Sequence, residues 1–159
     1  MNKKPSIVNE EPKPIDLIRT WEESGYSIGF TNGCFDIIHP GHISLLHCAK
    51  NECDKLVVGL NSDSSVAKLK GKDRPIQKEN ARATVLLALK DVDVVIIFNE
   101  ETPIKLIELI KPDVLIKGGD YKIDEIVGAE FIQQNGGRVV LSDYKKGHST
   151  SDIIKKIES

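Results

Sequence analysis

Tyr26-Ser27-Ile28-Gly29-Phe30-Thr31-Asn32-Gly33-Cys34-Phe35-Asp36-Ile37-Ile38-His39-Pro40-Gly41-His42 is the stretch on which the fold turns. Its first part, Tyr26 to Thr31, reads as a short apolar strand, and Asn32-Gly33 breaks it. From Pro40 to Asn51 the pattern becomes helical, with His42, Leu45, Leu46 and Ala49 at i, i+3, i+4 and i+7. Proline is tolerated at a helix start, because the N–H it lacks would be unpaired there. A strand thus passes through a Gly-bearing turn into a helix.

The alternation continues on both sides of this stretch. Upstream, Asp16 to Ser24 reads as a short helix closed by Gly25, and Met1 to Pro14, with three prolines, reads as a flexible leader. Downstream, Lys55 to Leu60 is a buried strand, and Asn61 to Lys78 is a polar, Lys-rich connection. Glu79 to Lys90 follows as a helix with Ala81, Val85, Ala88 and Leu89 on one face. Val92 to Phe98 is a β-branched strand, and Pro103 to Ile110 is a helix stopped by Pro112. Asp113 to Ile116 is a short strand broken by Lys117-Gly118-Gly119-Asp120; another helix ends at Gly136-Gly137. Val139 to Leu141 is the last strand, and Ser149 caps a final helix holding Ile153, Ile154 and Ile157. Alternating strands and helices predict an α/β fold, a Rossmann-like doubly wound five-stranded parallel sheet with helices on both faces. We expect one domain over residues 15–159, with 1–14 as the leader.

Charge and composition exclude several functions. Of 159 residues, 22 are Lys or Arg and 24 are Asp or Glu, a net charge of −2. A global basic field for nucleic acid is absent, so an anionic ligand must be held by local groups. The longest apolar runs, Val94 to Phe98 and Val85 to Leu89, fall far short of the roughly 20 residues a membrane helix needs. No membrane partner and no secretory leader are expected. Three cysteines, Cys34, Cys48 and Cys53, form an odd and unframed set, which points to the cytoplasm.

In parallel sheets, ligands bind beyond the carboxyl ends of the strands, where strand order reverses. The segments leaving strand ends are Asn32 to His42, Asn61 to Arg74, Lys117 to Tyr121, and Ser142 to Ser151. The first is the sharpest. A helix N-terminus offers unpaired N–H groups and about half a positive charge to a phosphate. Gly41 leaves room for close approach, and the imidazoles of His39 and His42 can donate to phosphate oxygens as charge builds. Either histidine alone could be structural, since His42 lies on its helix's apolar stripe and His39 sits in a turn.

Thr31 to His42 resembles the His-x-Gly-His signature of the cytidylyltransferase-type nucleotidyltransferases. The resemblance runs from about Tyr26 to Ile157. It includes Asn61-Ser62-Asp63, Lys70-Gly71-Lys72-Asp73-Arg74-Pro75, Lys117-Gly118-Gly119-Asp120-Tyr121 and Gly147-His148-Ser149-Thr150-Ser151. Within that superfamily the chain is most similar to the heptose 1-phosphate adenylyltransferases of ADP-heptose synthesis. These are often fused behind a sugar kinase, and no preceding kinase domain is expected here.

The resemblance implies an enzyme that joins a nucleoside triphosphate to a phosphorylated acceptor and releases pyrophosphate. The acceptor's own phosphate is then the nucleophile, and the protein supplies position and charge. It implies catalytic roles for His39, His42, Lys70 and Lys72. It implies nucleotide contacts from Thr31, Asn32, Gly33, Phe35, Gly41, Lys117, Gly118, His148, Ser149 and Thr150. Substrate contacts are implied for Asp36, Asn61, Asp63, Arg74, Arg82 and Asp120, with Asp36 open also to orienting a neighbouring group. Arg82 would equally serve as a surface ion-pair residue, and Ser149 with Asp152 as a simple capping box. Lys68, Lys70, Lys72 and Arg74 could form a phosphate lid or a solvated loop.

Zinc is not expected, because Cys34, His39, His42, His47, Cys48 and Cys53 contain no close Cys-x-x-Cys pair. Mg2+ is expected, carried by the triphosphate. Implied partners are ATP and a phosphorylated sugar, a second copy in a homodimer, and a separate sugar kinase and phosphatase in the same pathway. Two other readings stay open. One is a cytidylyltransferase acting on glycerol 3-phosphate or another small phosphorylated alcohol. Its relatives carry Arg-Thr-Glu-Gly where this chain has Tyr144-Lys145-Lys146-Gly147, and Met-Gly-Asp-Asp-Trp at Lys117 to Tyr121. The other is a nucleotide-binding regulatory module without turnover.

Overall fold

The computed structural model describes residues 13–119, 121–143 and 148–159. Most of the expected leader, residues 1–12, lies outside them, as do Asp120 and the stretch 144–147. The strands are β1 (Ile28–Gly33), β2 (Lys55–Asn61), β3 (Val94–Phe98), β4 (Val114–Gly118) and β5 (Arg138–Ser142). The helices are α1 (Pro14–Glu23), α2 (Pro40–Asn51), α3 (Asp63–Lys70), α4 (Glu79–Leu87), α5 (Ile104–Ile110), α6 (Ala129–Gln134) and α7 (Thr150–Glu158), with a 3₁₀ turn at Ile123–Glu125. All strand pairings are parallel, in the order β3-β2-β1-β4-β5. The chain builds outward from β1 to β3, then returns to place β4 on the other side of β1. The switch point is therefore the crevice between the carboxyl ends of β1 and β4.

Both faces of the sheet are covered, and strand alternation decides which core each side chain joins. Leu56, Val58 and Leu60 of β2 pack with Leu46 and Ala49 of α2 and with Ala83 and Leu86 of α4. Phe30 of β1 and Leu115 of β4 pack on the opposite face with Ile18 of α1, Leu106, Ile107 and Ile110 of α5, and Ile132 of α6. Three aspartates standing just ahead of strands fix the register at the amino ends. Asp54, Asp93 and Asp113 accept from the backbone N–H of Ser27, Leu56 and Ile28, at 2.8, 2.7 and 2.7 Å. Among the described residues no helix is long and apolar enough to cross a membrane.

The elements depart from the sequence reading in several places: Asn32-Gly33 and Lys117-Gly118, read as breaks, close β1 and β4, and α4 ends at Leu87 rather than Lys90. Helix α1 begins at Pro14, in the first helical turn, rather than at Asp16. The polar connection from Asn61 to Lys78 contains α3, capped by Ser62, whose hydroxyl accepts from the Ser65 N–H at 3.2 Å. Ser65 and Val66 are its only buried residues, which leaves almost no apolar stripe to read. In α4 the inward face is Arg82, Ala83 and Leu86, while Ala81, Val85 and Ala88 are exposed. The helix is turned this way because Arg82 makes interior hydrogen bonds.

Candidate active site

A cleft of about 690 Å³ opens over the carboxyl ends of β1 and β4, a size suited to a small-molecule substrate. One wall is the N-terminus of α2. His39 caps this helix, its Nδ1 accepting from the Gly41 N–H at 3.1 Å. An Nδ1 that accepts carries no proton, so the proton of neutral His39 sits on Nε2, free to be donated. The His39 and His42 rings stack with centroids 3.7 Å apart and planes at 25°. Phe35, itself held at φ 44°, presses against His42 with centroids 5.0 Å apart. Burial, then the neighbouring His39, pulls the pKa of His42 down to about 4; burial and then His148 also lower that of His39. Both rings are therefore neutral donors near pH 7. His42 Nδ1 is buried and has no partner among the described residues. Gly41 is required here, because a Cβ would lie 2.9 Å from Cε1 of His39.

A second helix N-terminus meets the first. Ser149 caps α7, its hydroxyl accepting from the Asp152 N–H at 3.0 Å. Thr150 Oγ1 donates to the Ile37 carbonyl at 3.2 Å and ties α7 to the loop before α2. Two sets of free N–H groups and two partial positive charges thus line one cleft. From β4, Lys117 reaches Asn32, its Nζ donating to Oδ1 at 3.3 Å, with the Tyr121 ring centroid 5.9 Å away. Burial lowers the pKa of Lys117.

The structure brings many of the expected residues to this cleft: Asn32, Gly33, Phe35, His39, Gly41, His42, Asn61, Lys70, Arg74, Lys117, Gly118, His148, Ser149 and Thr150. It places others elsewhere. Arg82, expected to touch substrate, is 1% exposed and outside the cleft. Its guanidinium donates to the carbonyls of Gln77, Cys34 and Asn61 at 2.9, 2.7 and 2.8 Å, and to the Asp63 carboxylate at 3.0 Å. Those bonds also account for Asp63, which faces Arg82 instead of substrate. Asp36 borders the cleft, yet both its oxygens are occupied. They accept from Arg74 Nε and the Ile76 and Gln77 N–H groups at 2.8, 2.8 and 2.9 Å. Burial raises the Asp36 pKa, and these donors outweigh it to leave the carboxylate lowered. Asp36 is thus a clamp that fixes Arg74 and the segment after it. Thr31 is fully buried, on the strand face opposite Asn32, and does not reach the cleft. Lys72 is exposed and also outside the lining, while Asp120 lies outside the described residues.

Several lining residues escaped the sequence reading: Cys34, Leu69, Glu101, Thr102, Glu125, Ile126 and Val127. Glu101 and Thr102 leave the carboxyl end of β3, so the strand-end rule, applied to every strand, finds them. Among the described residues no group of three His, Cys, Asp or Glu is placed to hold a metal ion.

The family model described as cytidylyltransferase-like matches residues 30–156, a span that contains both helix N-termini and both histidines. The chain belongs to the cytidylyltransferase-like family. Among curated relatives of this cytidylyltransferase-like chain, the bifunctional protein HldE of Paramagnetospirillum magneticum is 56% identical over 142 residues, 89% of this chain and 29% of that protein. HldE of Nitrobacter hamburgensis is 57% identical over 139 residues, 87% of this chain and 28% of that protein. The chain thus spans less than a third of the length of these relatives. The solved structure of the lipopolysaccharide core biosynthesis protein from Thermoplasma volcanium GSS1 is 31% identical, with a TM-score of 0.62, covering 78% of this chain and all of that one. Pantoate-beta-alanine ligase from Francisella tularensis, solved with beta-gamma ATP and beta-alanine, shares the fold at 18% identity. Its TM-score is 0.58, over 97% of this chain and 77% of its own.

Proposed function

We propose that this nucleotidyltransferase joins ATP to heptose 1-phosphate, forming ADP-heptose and pyrophosphate. The observation that carries the reaction type is the neutral, stacked pair His39 and His42 at the start of α2, facing the start of α7. Helix N-termini and fixed N–H donors stabilise charge that grows on phosphate oxygens. The acceptor's phosphate attacks the α-phosphorus of ATP, so no side-chain nucleophile is needed. Lys70, at the cleft, adds positive charge, while Arg74 beside it is paired with Asp36. Magnesium enters with ATP as part of the substrate.

The acceptor reading is supported by the identity with the HldE relatives and with the lipopolysaccharide core biosynthesis protein. Lys117-Gly118-Gly119-Asp120-Tyr121 supports it too, being the form carried by the heptose enzymes that the chain resembles. The domain is taken as residues 15–159, acting in the cytoplasm as a homodimer. A kinase that makes the sugar 1-phosphate, and a phosphatase acting on heptose phosphates, are its expected pathway partners. The test is a competition with magnesium, equal ATP and CTP, and either heptose 1-phosphate or glycerol 3-phosphate. ADP-heptose with stoichiometric pyrophosphate is the expected product, and preferential CDP-glycerol would overturn the reading.

A further inference from the structure

Asn61, the last residue of β2, is only 3% exposed, and it lines the cleft. Its backbone is held from two sides. Arg82 Nη1 donates to its carbonyl at 2.8 Å, and the next residue, Ser62, donates its N–H to the Phe98 carbonyl at 2.9 Å. The side chain is held as well. Asn61 Nδ2 donates to Ser65 Oγ at 2.9 Å, and Ser65 Oγ donates in turn to the Glu100 carbonyl at 2.9 Å. Ser65 is fully buried, so water does not compete for its hydroxyl.

The direction of these bonds fixes which end of the amide the cleft meets. A carbonyl only accepts, so the Ser65 proton goes to Glu100 and the Ser65 oxygen is left to accept. It is the NH2 end of Asn61 that satisfies it. A turned amide would set Oδ1 against a hydroxyl oxygen whose proton is already given, and leave Nδ2 without this acceptor. Among the described residues Asn61 Oδ1 accepts no hydrogen bond. The fully buried side-chain atoms without a partner there are Thr31 Oγ1 and His42 Nδ1, and Oδ1 is not one of them, so it stays open to the cleft. An oxygen fixed in this way rewards a ligand that brings an O–H or N–H. It penalises one that covers it with nothing to donate.

Strand alternation sets which ligand this oxygen meets. A Cβ on Gly59 would touch Phe30 and Asn32, and Phe30 shares a core with Leu106 and Ile107 of α5. Asn61, two residues on, therefore lies on the α5 face of the sheet. The N-termini of α2 and α7, tied together by Thr150 and Ile37, lie on the α2 face and suit the triphosphate. We propose that Asn61 Oδ1 is a specificity-determining oxygen that accepts from one hydroxyl of the phosphorylated co-substrate, with the buried Ser65 as the positioning residue that keeps the amide from turning. This rests on the transfer reaction proposed above. The nucleotide's ribose or base carries donors of the same chemistry, and the experiment separates the two sources.

The test compares the unmodified protein with Asn61→Leu and Ser65→Ala, and thermal melts check the fold. Steady-state rates are measured with ATP and, in turn, heptose 1-phosphate, mannose 1-phosphate and glycerol 3-phosphate. They are then measured with the monodeoxy forms of whichever compound turns over best. Calorimetry gives the Kd of a nonhydrolysable ATP analogue. In the unmodified protein one monodeoxy form should lose about tenfold or more in kcat/KM. In Asn61→Leu the parent compound should fall to that level, so that parent and deoxy form differ by less than about threefold. Ser65→Ala should lie between the two, and the analogue's Kd should move less than about threefold in either variant. A merely structural role would slow parent and deoxy forms alike in both variants, and that result would overturn the proposal. A rise in the analogue's Kd that matches the loss with the co-substrate would give the oxygen to the nucleotide and overturn it too. If Asn61→Leu does not fold, the deoxy series in the unmodified protein and in Ser65→Ala decides, and equal discrimination in both overturns it. If the unmodified protein uses another member of the panel, the heptose reading alone fails and the comparison is made with that compound. If it uses none, both fail.

Discussion

His39 and His42 stack with ring centroids 3.7 Å apart, and the Nδ1 of His39 is tied to the N–H of Gly41. Two imidazolium ions at that distance would repel each other, so the arrangement favours two neutral rings. Under the proposed reaction each ring then has an N–H to offer the triphosphate without carrying a charge into the free protein. Replacing His42 by Ala should lower kcat by about 100- to 1,000-fold, the usual cost of one preorganised donor to a transition-state oxygen. Pyrophosphate release measures the rate and a thermal melt checks the fold. A folded His42→Ala protein with near-normal turnover would make His42 a packing residue.

The same geometry sets a pH dependence of stability. In the unfolded chain His42 titrates near its ordinary value of 6.5, whereas in the folded protein its pKa is about 4. Below pH 6.5 the unfolded state therefore binds the proton first, and stability falls as pH drops. The loss should run from pH 6.5 down to about 4 and then level off. Urea unfolding at pH 7 and pH 5 should show a smaller drop for His42→Ala than for the unmodified protein. Equal drops would place the His42 pKa near its ordinary value.

Much of this is legible in the sequence. The change of period between Thr31 and Pro40 announces strand, turn and helix, and Lys55 to Leu60 and Val92 to Phe98 each read as a strand. What stayed hidden depends on groups far apart in sequence. For Asp36 the resemblance leaves open a substrate contact or the orienting of a neighbouring group, and the groups it holds, the N–H groups of Ile76 and Gln77, lie forty residues on. Arg82 misled the reading of α4, because an arginine on the inward face reverses the apparent apolar stripe. Helix α3 is short and polar, so periodicity gave nothing to count. Glu101 belongs to no motif, and only the position of β3 in the sheet brings it to the cleft.

Arg82 should prove a stability residue. It holds the carbonyls of Cys34, Asn61 and Gln77 together, and so joins the ends of β1 and β2 to α4. Arg82→Met leaves three carbonyls and the Asp63 carboxylate without this donor. Removing one member of such a buried cluster costs about 3–5 kcal/mol. Urea unfolding measures this. Arg82→Lys should recover little, since an ammonium cannot reproduce the planar fork. An Arg82→Met protein of ordinary stability with a raised acceptor KM would restore the substrate contact that the sequence suggested.

The segment from Lys68 to Gln77 should divide in two when ATP binds. Its last part is already fixed. The N–H groups of Ile76 and Gln77 both donate to Asp36, and Gln77 Nε2 donates to the Asp36 carbonyl at 2.6 Å. Its first part, beyond the Gly71 N–H that donates to the Ala67 carbonyl at 3.0 Å, has no tie to Asp36. Lys70 ends α3, Gly71 stands at φ +107° with nothing near its Cβ position, and Lys72 and Asp73 are exposed. Lys70 borders the cleft from the end of that helix, where an anion can draw it inward. Amide hydrogen exchange with and without a nonhydrolysable ATP analogue separates the two parts. Amides of Lys72 and Asp73, next to residues 70–71, should slow when the analogue binds, while those of Ile76 and Gln77 should be slow in both states. In Asp36→Asn the two acceptor oxygens become one, and the protection at Ile76 and Gln77 should fall in the free protein. Unchanged exchange at Lys72 and Asp73 would mean that Lys70 does not close on the triphosphate. Fast exchange at Ile76 and Gln77 in the free protein would mean that Asp36 does not clamp the segment.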